Sequence, residues 1–300
     1  MSKGWNGRPP AGRVAYVDGC YLRHGEASVH VEDRGLQLGD AVYEVCGIVD
    51  GAPTDEEEHL DRLERSVGEI EMAMPMARPA LKLVMREIVR RNGVRDGLLY
   101  LQVTRGAVRR DHPIPDRSPR PSLIVTARSW DVDAAAKRRD EGIAVVSRPD
   151  ERWARCDIKT TQLLANLLAK TAARRAGAYE AWLVDADGAV TEGSSTTAWI
   201  VDREGRLITR DLSHAILPGV TRRVIMAAAA QAQLPVLERR FALNDAYSAR
   251  EAFISSATGV VPVTIIDGRQ VGEGRPGPVT RRVQELYAAE SANRAEEQGT

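Results

Sequence analysis

RWARCDIKTT, residues 152–161, is the stretch from which the organisation of this chain can be worked out. It runs into residues 161–175, whose apolar positions recur at helical spacing, so Lys159 lies at a junction between a loop and a helix. Such a junction can hold a lysine amine in a fixed, partly desolvated position, which covalent catalysis by lysine requires. The alternative is a lysine that covers the surface beside a helix start and keeps its amine in water. The local pattern leaves both interpretations open.

The other lysines occupy positions that suit covalent catalysis less well. Lys3 lies in a Gly/Pro-rich start, and Lys137 lies in a charged run. Lys82 and Lys170 lie in the polar rows of amphipathic helices. Lys159 is therefore the candidate reactive lysine.

Charge and composition argue against several classes of partner. The chain has 300 residues, 43% of them hydrophobic, which is enough for one large core or two smaller ones. Its 42 Lys+Arg balance 42 Asp+Glu, so the formal net charge is zero. A chain without net charge has no field to attract a polyanion. We expect neither a nucleic-acid partner nor a membrane partner.

Hydropathy and cysteine usage indicate a cytoplasmic protein. Charged residues or prolines interrupt the apolar runs, and the start of the chain is polar, so we expect no membrane span and no export signal. Cys20, Cys46 and Cys156 are odd in number and widely spaced, which fits neither a disulfide framework nor a metal site. They suit a reducing compartment.

The N-terminal part reads as a smaller α+β domain, residues 1–130. Strand-like runs at 14–16, 41–49, 98–104 and 122–126 alternate with two amphipathic helices. The first helix starts at Thr54 as N-cap, with Glu57 completing a capping box, and ends before Pro75. The second covers residues 79–91 and stops at Asn92-Gly93. The polar, Ala-rich residues 131–141 are predicted to be an interdomain linker.

Residues 142–300 read as a larger α+β domain that carries Lys159. We expect strands at 143–147, 197–201 and 207–209, near Val236 and near Phe253, and helices at 161–175, 219–232 and 279–289. Hairpins are predicted at Asp187-Gly188 and Asp267-Gly268. The elements are intermixed without a strict strand-helix-strand rhythm, so the predicted fold class is a two-domain α+β protein.

Two loops have the residues of a phosphate site. Gly219-Val220-Thr221-Arg222 opens a helix, where backbone N–H groups and the helix dipole favour an anion and Thr221 adds a hydroxyl. Ser255-Ser256-Ala257-Thr258-Gly259 is a loop of small residues with further hydroxyls. The simpler alternatives are a helix start with nothing bound and a plain turn.

Two further segments have residues that bind charged groups. Glu192, at the exit of a hairpin, can pair with a protonated ring nitrogen or be solvated. Residues 109–112, RRDH, follow a strand; an arginine there can bind a carboxylate through two hydrogen bonds, with the histidine as a further donor. A solvated basic loop is the alternative.

Together, a lysine, a carboxylate, two phosphate loops and a carboxylate trap are the parts of a pyridoxal 5'-phosphate (PLP) transaminase. From about residue 15 to 286 the sequence resembles the class IV, fold type IV, aminotransferases, and among them bacterial D-amino acid aminotransferase. The motifs EDRGLQLGD (32–40), HLDRL (59–63) and RWARCDIK (152–159) occur in the order of the family. Leu36 and Leu38 depart from the aromatic residues common in the first motif, and residues 256–259 are closer to branched-chain members.

The resemblance implies a role for each candidate residue. Lys159 corresponds to the Schiff-base lysine and acid-base catalyst. The residues that correspond to cofactor-binding positions are Arg62, Glu192, Leu217, Val220, Thr221, Ser255 and Ser256, with Arg62 on the phosphate, Glu192 on the pyridine nitrogen and Leu217 under the ring. Arg110 and His112, in the Arg-x-His arrangement of the D-amino acid enzymes, correspond to the trap for the substrate carboxylate, and Tyr43 lines the substrate pocket. No metal is implied.

By the same resemblance, the amino group of a D-amino acid passes to a 2-oxo acid, 2-oxoglutarate or pyruvate, by a ping-pong mechanism in a homodimer. Alternatives within the fold are a branched-chain L-amino acid transaminase, an R-selective amine transaminase and an aminodeoxychorismate lyase. Arg110 and His112 argue against the first two. A thiol hydrolase that uses Cys156 and a non-catalytic cofactor-binding protein are the alternatives from other classes.

Overall fold

A computed structural model describes residues 12–299, with side chains described as far as Ser291. The contacts divide these residues into two compact units. Unit 1 contains the described residues up to Trp130 together with Lys159–Gln162. Unit 2 contains Asp131–Ile158 and the described residues from Leu163 onward. No helix in the described part of the chain is both long enough and apolar enough to cross a membrane.

Unit 1 is built on one antiparallel sheet. Within the described residues the strand order is β2-β1-β6-β5-β3-β4. The strands are β1 (Val14–Val17), β2 (Cys20–Arg23), β3 (Ala41–Val49), β4 (Ala52–Pro53), β5 (Gly97–Thr104) and β6 (Ser122–Ser129). The helices are α1 (Arg34–Leu38), α2 (Glu56–Glu69) and α3 (Arg78–Asn92). Helix α2 packs on β3 and α3 packs on β6, so the buried side chains of both helices cover the sheet.

The predicted strands and the second helix of this region are confirmed, but the predicted capping box is wrong. Strand β3 has the predicted bounds, and Gly93 ends α3 in the left-handed conformation with φ 57°. The α2 N-cap is Asp55, and the Thr54 hydroxyl instead donates a hydrogen bond to the carbonyl of Gly47, 3.3 Å away. A backbone hydrogen bond from Thr54 to the same carbonyl keeps Thr54 beside β3, outside the helix.

Unit 2 is built on a mixed sheet with helices. In the described residues its strand order is β12-β11-β10-β13-β14-β7-β8-β9, with β15 paired to β14. The strands are β7 (Ile143–Pro149), β8 (Glu180–Val184), β9 (Val190–Gly193), β10 (Thr197–Val201), β11 (Leu207–Thr209), β12 (Val236–Glu238), β13 (Glu251–Ser256), β14 (Gly259–Ile266) and β15 (Arg269–Gln270). The helices are α4 (Val132–Glu141), α5 (Leu164–Arg175), α6 (Val220–Gln231), α7 (Leu243–Tyr247) and α8 (Pro278–Gly299).

Two of the three apolar clusters in the core of unit 2 are built around aromatic rings. One is centred on Trp182 and Phe241, whose rings meet edge to face at 6.2 Å. The other contains Trp199 and Phe253, which stack at 5.3 Å on neighbouring strands. This core fixes β8, β9 and β10 and therefore the hairpin that carries Glu192.

Two differences from the sequence-based expectations concern the region around Lys159. Residues 131–141, predicted as a linker, form helix α4 instead, because Asp131 accepts a hydrogen bond from the Ala134 N–H and alanines favour a helix. Helix α5 begins at Leu164 rather than at residue 161. Lys159–Gln162, which precede helix α5, belong to unit 1. The sequence had predicted that the larger C-terminal domain carries Lys159.

Candidate active site

Main-chain hydrogen bonds hold the segment that contains Lys159 against the start of β3. The Tyr43 N–H donates to the Lys159 carbonyl at 3.0 Å, and the Thr161 N–H donates to the Ala41 carbonyl at 3.1 Å. These bonds flank an isolated antiparallel bridge between Val42 and Thr160. The segment therefore behaves as a short extra strand, and this pairing explains why the helix cannot start at residue 161.

The amine of Lys159 lies over the ring of Tyr43. Its Nζ is 4.3 Å from the ring centroid, so the structure brings together two residues that the sequence predicted for one site. Tyr43 stacks in turn on Tyr100, with ring centroids 5.6 Å apart. Burial raises the pKa of Tyr100 to about 12, which keeps its hydroxyl protonated, and that hydroxyl donates to Gln102 Oε1 at 2.7 Å. The two tyrosines form an aromatic wall beside the lysine.

Arg62 is buried on α2 and forms a bidentate ion pair with Glu44 of β3. Its Nε and Nη2 donate to the two carboxylate oxygens of Glu44, each at 2.7 Å. His59, one turn earlier on the helix, contacts Glu44 Oε2 through Nδ1 at 2.7 Å. Burial alone would raise the pKa of Glu44, but the charge and hydrogen bonds of Arg62 outweigh it and lower that pKa to about 2. A bidentate pair of this kind fixes the direction of the guanidinium.

Glu192 of β9 lies in a polar cluster in unit 2. Arg152 Nη1 donates to Glu192 Oε1, and the Leu217 N–H lies 3.3 Å from both oxygens of the carboxylate. Arg152 is held in turn by Asp150, with 2.8 Å from Nε to Oδ1 and 2.7 Å from Nη2 to Oδ2. Burial alone would lower the pKa of Arg152, but its hydrogen bonds to Asp150 and the charge of Glu192 raise it, so the guanidinium stays charged.

The start of α6 has the properties of an anion site. Gly219 is its N-cap and supplies no side-chain hydrogen bond, while Val220 and Thr221 form a buried first turn. A Cβ on Gly219 would meet the Thr197 hydroxyl at 3.0 Å and Arg222 Cβ at 3.2 Å, so a larger residue would push these neighbours aside. The first N–H groups of a helix have no partner within it and attract anions.

The two serines of the neighbouring loop differ in their contacts. The Ser255 hydroxyl is buried and accepts a hydrogen bond from the indole N–H of Trp199 at 3.0 Å. The Ser256 hydroxyl lies at the end of β13 and contacts the hydroxyl of Thr258 at 2.8 Å. Of the two hydroxyls, that of Ser256 is the more available to a ligand.

Arg110 and His112 lie apart from the other predicted residues of unit 1. Both side chains are exposed, in the loop between β5 and β6. Within the described residues neither side chain forms a hydrogen bond or ion pair with Lys159 or Tyr43. No group of three or more His, Cys, Asp and Glu residues in the described part of the chain could hold a metal ion.

Sequence reasoning assigned no role to Glu44, Asp150 or Arg152. Glu44 lies within the apolar strand β3, next to Tyr43, and Asp150 and Arg152 follow the apolar strand β7 directly. A charge at such a position needs a partner when it is buried, which is the signal that could have identified these residues.

Comparison with known proteins decides the family. The model of "Amino-transferase class IV" matches residues 41–266. The chain belongs to the class IV aminotransferases. D-alanine aminotransferase of Bacillus licheniformis is 38% identical over 269 residues, covering 89% of this chain and 93% of the relative. D-alanine aminotransferase of Listeria monocytogenes is 39% identical over 276 residues, covering 91% of this chain and 94% of the relative.

Solved structures of the class IV aminotransferases share the fold. The T.th. branched-chain amino acid aminotransferase with pyridoxamine 5'-phosphate has a TM-score of 0.85 and 27% identity, covering 96% of this chain and 97% of the other. The Escherichia coli branched-chain amino acid aminotransferase has a TM-score of 0.82 and 27% identity, covering 93% and 94%. The chain thus has the α+β architecture of fold type IV and is a PLP-dependent aminotransferase.

The residues on each unit fit the groups of PLP. In unit 1, Lys159 offers an amine for the aldehyde and Arg62 a charged guanidinium for the phosphate. In unit 2, Glu192 offers a carboxylate for a protonated ring nitrogen, and the first turn of α6 offers N–H groups for the phosphate. The donor set is therefore chemically complete for this cofactor.

Proposed function

We propose that this class IV aminotransferase moves the amino group of a D-amino acid to 2-oxoglutarate or pyruvate by a ping-pong mechanism. The observation that carries the proposal is the Lys159 amine, held over the Tyr43 ring by a segment that main-chain hydrogen bonds fix to β3. The D-amino acid substrate is supported by Arg110-Asp111-His112 and by the names of the curated relatives.

Lys159 moves the proton in this mechanism. PLP, when bound, supplies an aldehyde that condenses with amines and a ring that withdraws electrons from the substrate Cα. With PLP bound, the Lys159 amine would take the proton from the substrate Cα and hold it for return, which requires a base fixed in position. The main-chain hydrogen bonds from the Tyr43 N–H to the Lys159 carbonyl and from the Thr161 N–H to the Ala41 carbonyl hold this segment in place. They do not involve the Lys159 side chain, which stays available to move the proton.

Glu192 holds a proton on the ring nitrogen of the cofactor. Its carboxylate accepts hydrogen bonds from Arg152 and from the Leu217 N–H, so it is oriented before any ligand arrives. Leu217 packs under the ring. Arg62, Val220, Thr221 and Ser256 bind the phosphate, while Ser255 supports the loop through its hydrogen bond to Trp199.

Arg110, His112 and Tyr43 bind the carboxylate of the substrate. An arginine binds a carboxylate through two parallel hydrogen bonds, which orients as well as attracts it. That orientation decides which face of Cα meets Lys159, and hence the stereochemistry. Substitution Arg110→Ala is expected to raise the KM for D-alanine at least about tenfold, since a charge-assisted hydrogen bond contributes about 1.5–3 kcal/mol.

The visible spectrum of the purified protein tests the substrate proposal directly. The cofactor band is recorded before and after D-alanine, L-leucine or R-1-phenylethylamine is added in separate cuvettes. Bleaching by D-alanine alone, or best by D-alanine, is the expected result. Bleaching by L-leucine would instead indicate a branched-chain amino acid aminotransferase like the structural neighbours, and bleaching by the amine would indicate an R-selective amine transaminase.

We also propose that the enzyme is a cytoplasmic homodimer. The support is the resemblance to the family and the three free cysteines, Cys20, Cys46 and Cys156, which suit a reducing compartment. Light scattering of the purified enzyme is expected to give twice the mass of the chain, and a monomer would contradict the dimer.

A further inference from the structure

We propose that Arg34 is a positioning residue for the substrate carboxylate, because its guanidinium fixes the main chain that carries Arg110 and His112. The inference rests on the proposed function, in which these two side chains bind the carboxylate.

The guanidinium of Arg34 binds two consecutive carbonyl groups of the loop. Its Nη1 donates to the carbonyl of Asp111 at 2.7 Å, and its Nη2 approaches the carbonyl of His112 at 3.4 Å. Arg34 is only 3% exposed, whereas the side chains of Arg110 and His112 are exposed. A buried donor thus holds the backbone at the point from which the two exposed side chains project.

Asp40 sets the direction of the Arg34 guanidinium. Its Oδ2 accepts hydrogen bonds from Arg34 Nε and from Arg105 Nε, both at 2.7 Å. Burial alone would raise the pKa of Asp40, but the hydrogen bonds from Arg105 and Arg34 outweigh it and lower that pKa. Asp40 is therefore ionised at neutral pH. The anion lies between two buried cations, which are both turned toward it.

The two arginines hold different parts of unit 1. Arg105 donates from Nη1 to the carbonyl of Glu71 at 3.0 Å and from Nη2 to the carbonyl of Ile70 at 2.6 Å, at the end of α2. Arg105 is the first residue of the loop that carries Arg110 and His112, but among the described contacts its guanidinium donates to the end of α2, whereas that of Arg34 donates to the carbonyls of Asp111 and His112. The difference supplies a matched control, since both are buried arginines on the same carboxylate.

Backbone pairing fixes the beginning of the loop but stops before the two functional side chains. The Arg34 N–H donates to the Gly106 carbonyl at 3.0 Å, Asp33 bridges Ala107, and the Val108 N–H donates to the Glu32 carbonyl at 3.3 Å. The Arg34 side chain continues this attachment to residues 111 and 112.

A loop that is fixed before the substrate binds loses less conformational entropy on binding. An exposed loop with freely moving Arg110 and His112 would lose that freedom on binding each carboxylate. A loop held by Arg34 has lost it on folding, so the substrate binds more tightly. The consequence is an effect on half-saturation by amino acids rather than on the proton transfer by Lys159.

Substitution Arg34→Gln tests the inference in single-turnover experiments with the PLP-loaded enzyme and D-alanine. We expect the half-saturating concentration of D-alanine to rise about tenfold, as for loss of one charge-assisted hydrogen bond. The limiting rate and the dissociation constant of PLP are expected to change less than about twofold on this scale. Arg34→Lys keeps the charge but loses the planar set of donors. We expect its half-saturating concentration of D-alanine to lie between those of the unsubstituted enzyme and of Arg34→Gln.

Limited trypsin digestion gives a readout that does not depend on activity. Cleavage after Arg109 or Arg110 is expected to accelerate in Arg34→Gln while cleavage elsewhere is unchanged. In Arg105→Gln, which loses the hold on α2 instead, we expect a lower thermal midpoint but neither the change in half-saturation nor the faster cleavage at this loop. Equal behaviour of the two variants would show that Arg34 is only structural and would overturn the inference.

A double-mutant cycle with Arg110→Gln separates failure of the inference from failure of the proposed function. If Arg34 acts through Arg110, Arg34→Gln has little further effect on half-saturation in the Arg110→Gln background. Full additivity would overturn the inference. An unchanged half-saturation in Arg110→Gln alone, or no reaction of the unsubstituted enzyme with D-alanine, would instead overturn the proposed function.

Discussion

Lys159 is attached to β3 through main-chain atoms, so removing its side chain leaves the segment in place. The hydrogen bonds from Tyr43 to the Lys159 carbonyl and from Thr161 to Ala41 do not involve the amine. We therefore expect Lys159→Ala to fold but to lose turnover by about 10³-fold or more, the upper range for a positioned acid-base group. The initial rate with D-alanine and 2-oxoglutarate and the far-UV circular dichroism spectrum measure the two effects.

Lys137 provides the control for this substitution. It lies on α4, its side chain is 70% exposed, and it pairs only loosely with Glu141 at 3.8 Å. Lys137→Ala should leave the rate unchanged. Retained transamination by Lys159→Ala would remove the central element of the proposed function.

In the proposed function Glu192 acts on the electrons of the cofactor ring, so its substitution should affect the rate more than cofactor binding. In Glu192→Gln the amide still accepts hydrogen bonds from Arg152 and the Leu217 N–H, so the site keeps its shape. An amide holds a ring proton less strongly than a carboxylate. We expect kcat to fall about 10²-fold, as for loss of one electrostatic contact to developing charge, with a small change in PLP affinity. An unaltered kcat would contradict this role.

The predicted site residues show what a sequence can specify about individual side chains. Residue type and motif order led to Lys159, Tyr43 and Glu192, and the structure places Lys159 over Tyr43. They gave no information on the partners Glu44 and Arg152, because these pair across distances of 18 and 40 residues. Such pairings depend on which strands and helices pack together, and local patterns do not contain that information.

Glu44, Arg62 and His59 join β3 to α2 through a buried ion pair, which makes this pair of elements sensitive to acid. The pKa of Glu44 is about 2 in the folded chain and 4.5 ordinarily. A lowered carboxyl pKa stabilises the fold above pH 4.5, and this stability is lost as the pH falls from 4.5 toward 2. The difference corresponds to about 3 kcal/mol at about 1.4 kcal/mol per pKa unit.

Substitution Glu44→Gln is expected to lower the thermal midpoint at pH 7 by roughly 5–10 °C, because it leaves the Arg62 charge buried and poorly paired. The gap between the two proteins should narrow as the pH is lowered from about 4.5 toward 2, since the carboxyl of Glu44 is then protonated in the unfolded state before it is protonated in the folded state. Differential scanning calorimetry across this range measures the gap.

Glu64→Gln is the matched control for the acid experiment. Glu64 also lies on α2 and pairs with Arg78 at 2.8 Å, but its side chain is 40% exposed. An exposed pair contributes about 0–1 kcal/mol, so the thermal midpoint should change little. A gap for Glu44→Gln that stays constant from pH 7 to 3 would contradict the assignment of the acid effect to this pair.

At the scale of elements, periodic segments were predicted well and their boundaries less so. Strands such as β3 and helices such as α3 followed from runs of apolar residues with the right period. None of the side chains of α4 is buried, so its residues have no apolar period that would indicate a helix. Only their polar, alanine-rich composition could be read from the sequence. The start of α5 was misplaced because residues 159–162 pair with β3, which lies more than 100 residues earlier.

For the whole molecule we expect two half-reactions that share one form of the enzyme. In the proposed function Lys159 moves the Cα proton, so it would serve both the amino donor and the oxo acid, one after the other. Initial rates measured at several concentrations of D-alanine and 2-oxoglutarate should give parallel lines in a double-reciprocal plot. Intersecting lines would mean that both substrates bind together, which contradicts a ping-pong cycle.

Residues 159–162 leave the second unit, pair with the first, and return at Leu163. A gene fragment that encodes only residues 1–130 therefore omits a piece of its own folded unit, including the lysine. The complementary fragment, residues 131–300, carries the lysine of the first unit without the tyrosines that lie beside it. Domain truncation, a common way to assign activities to halves of a protein, would remove activity from both halves of this chain whatever the role of either.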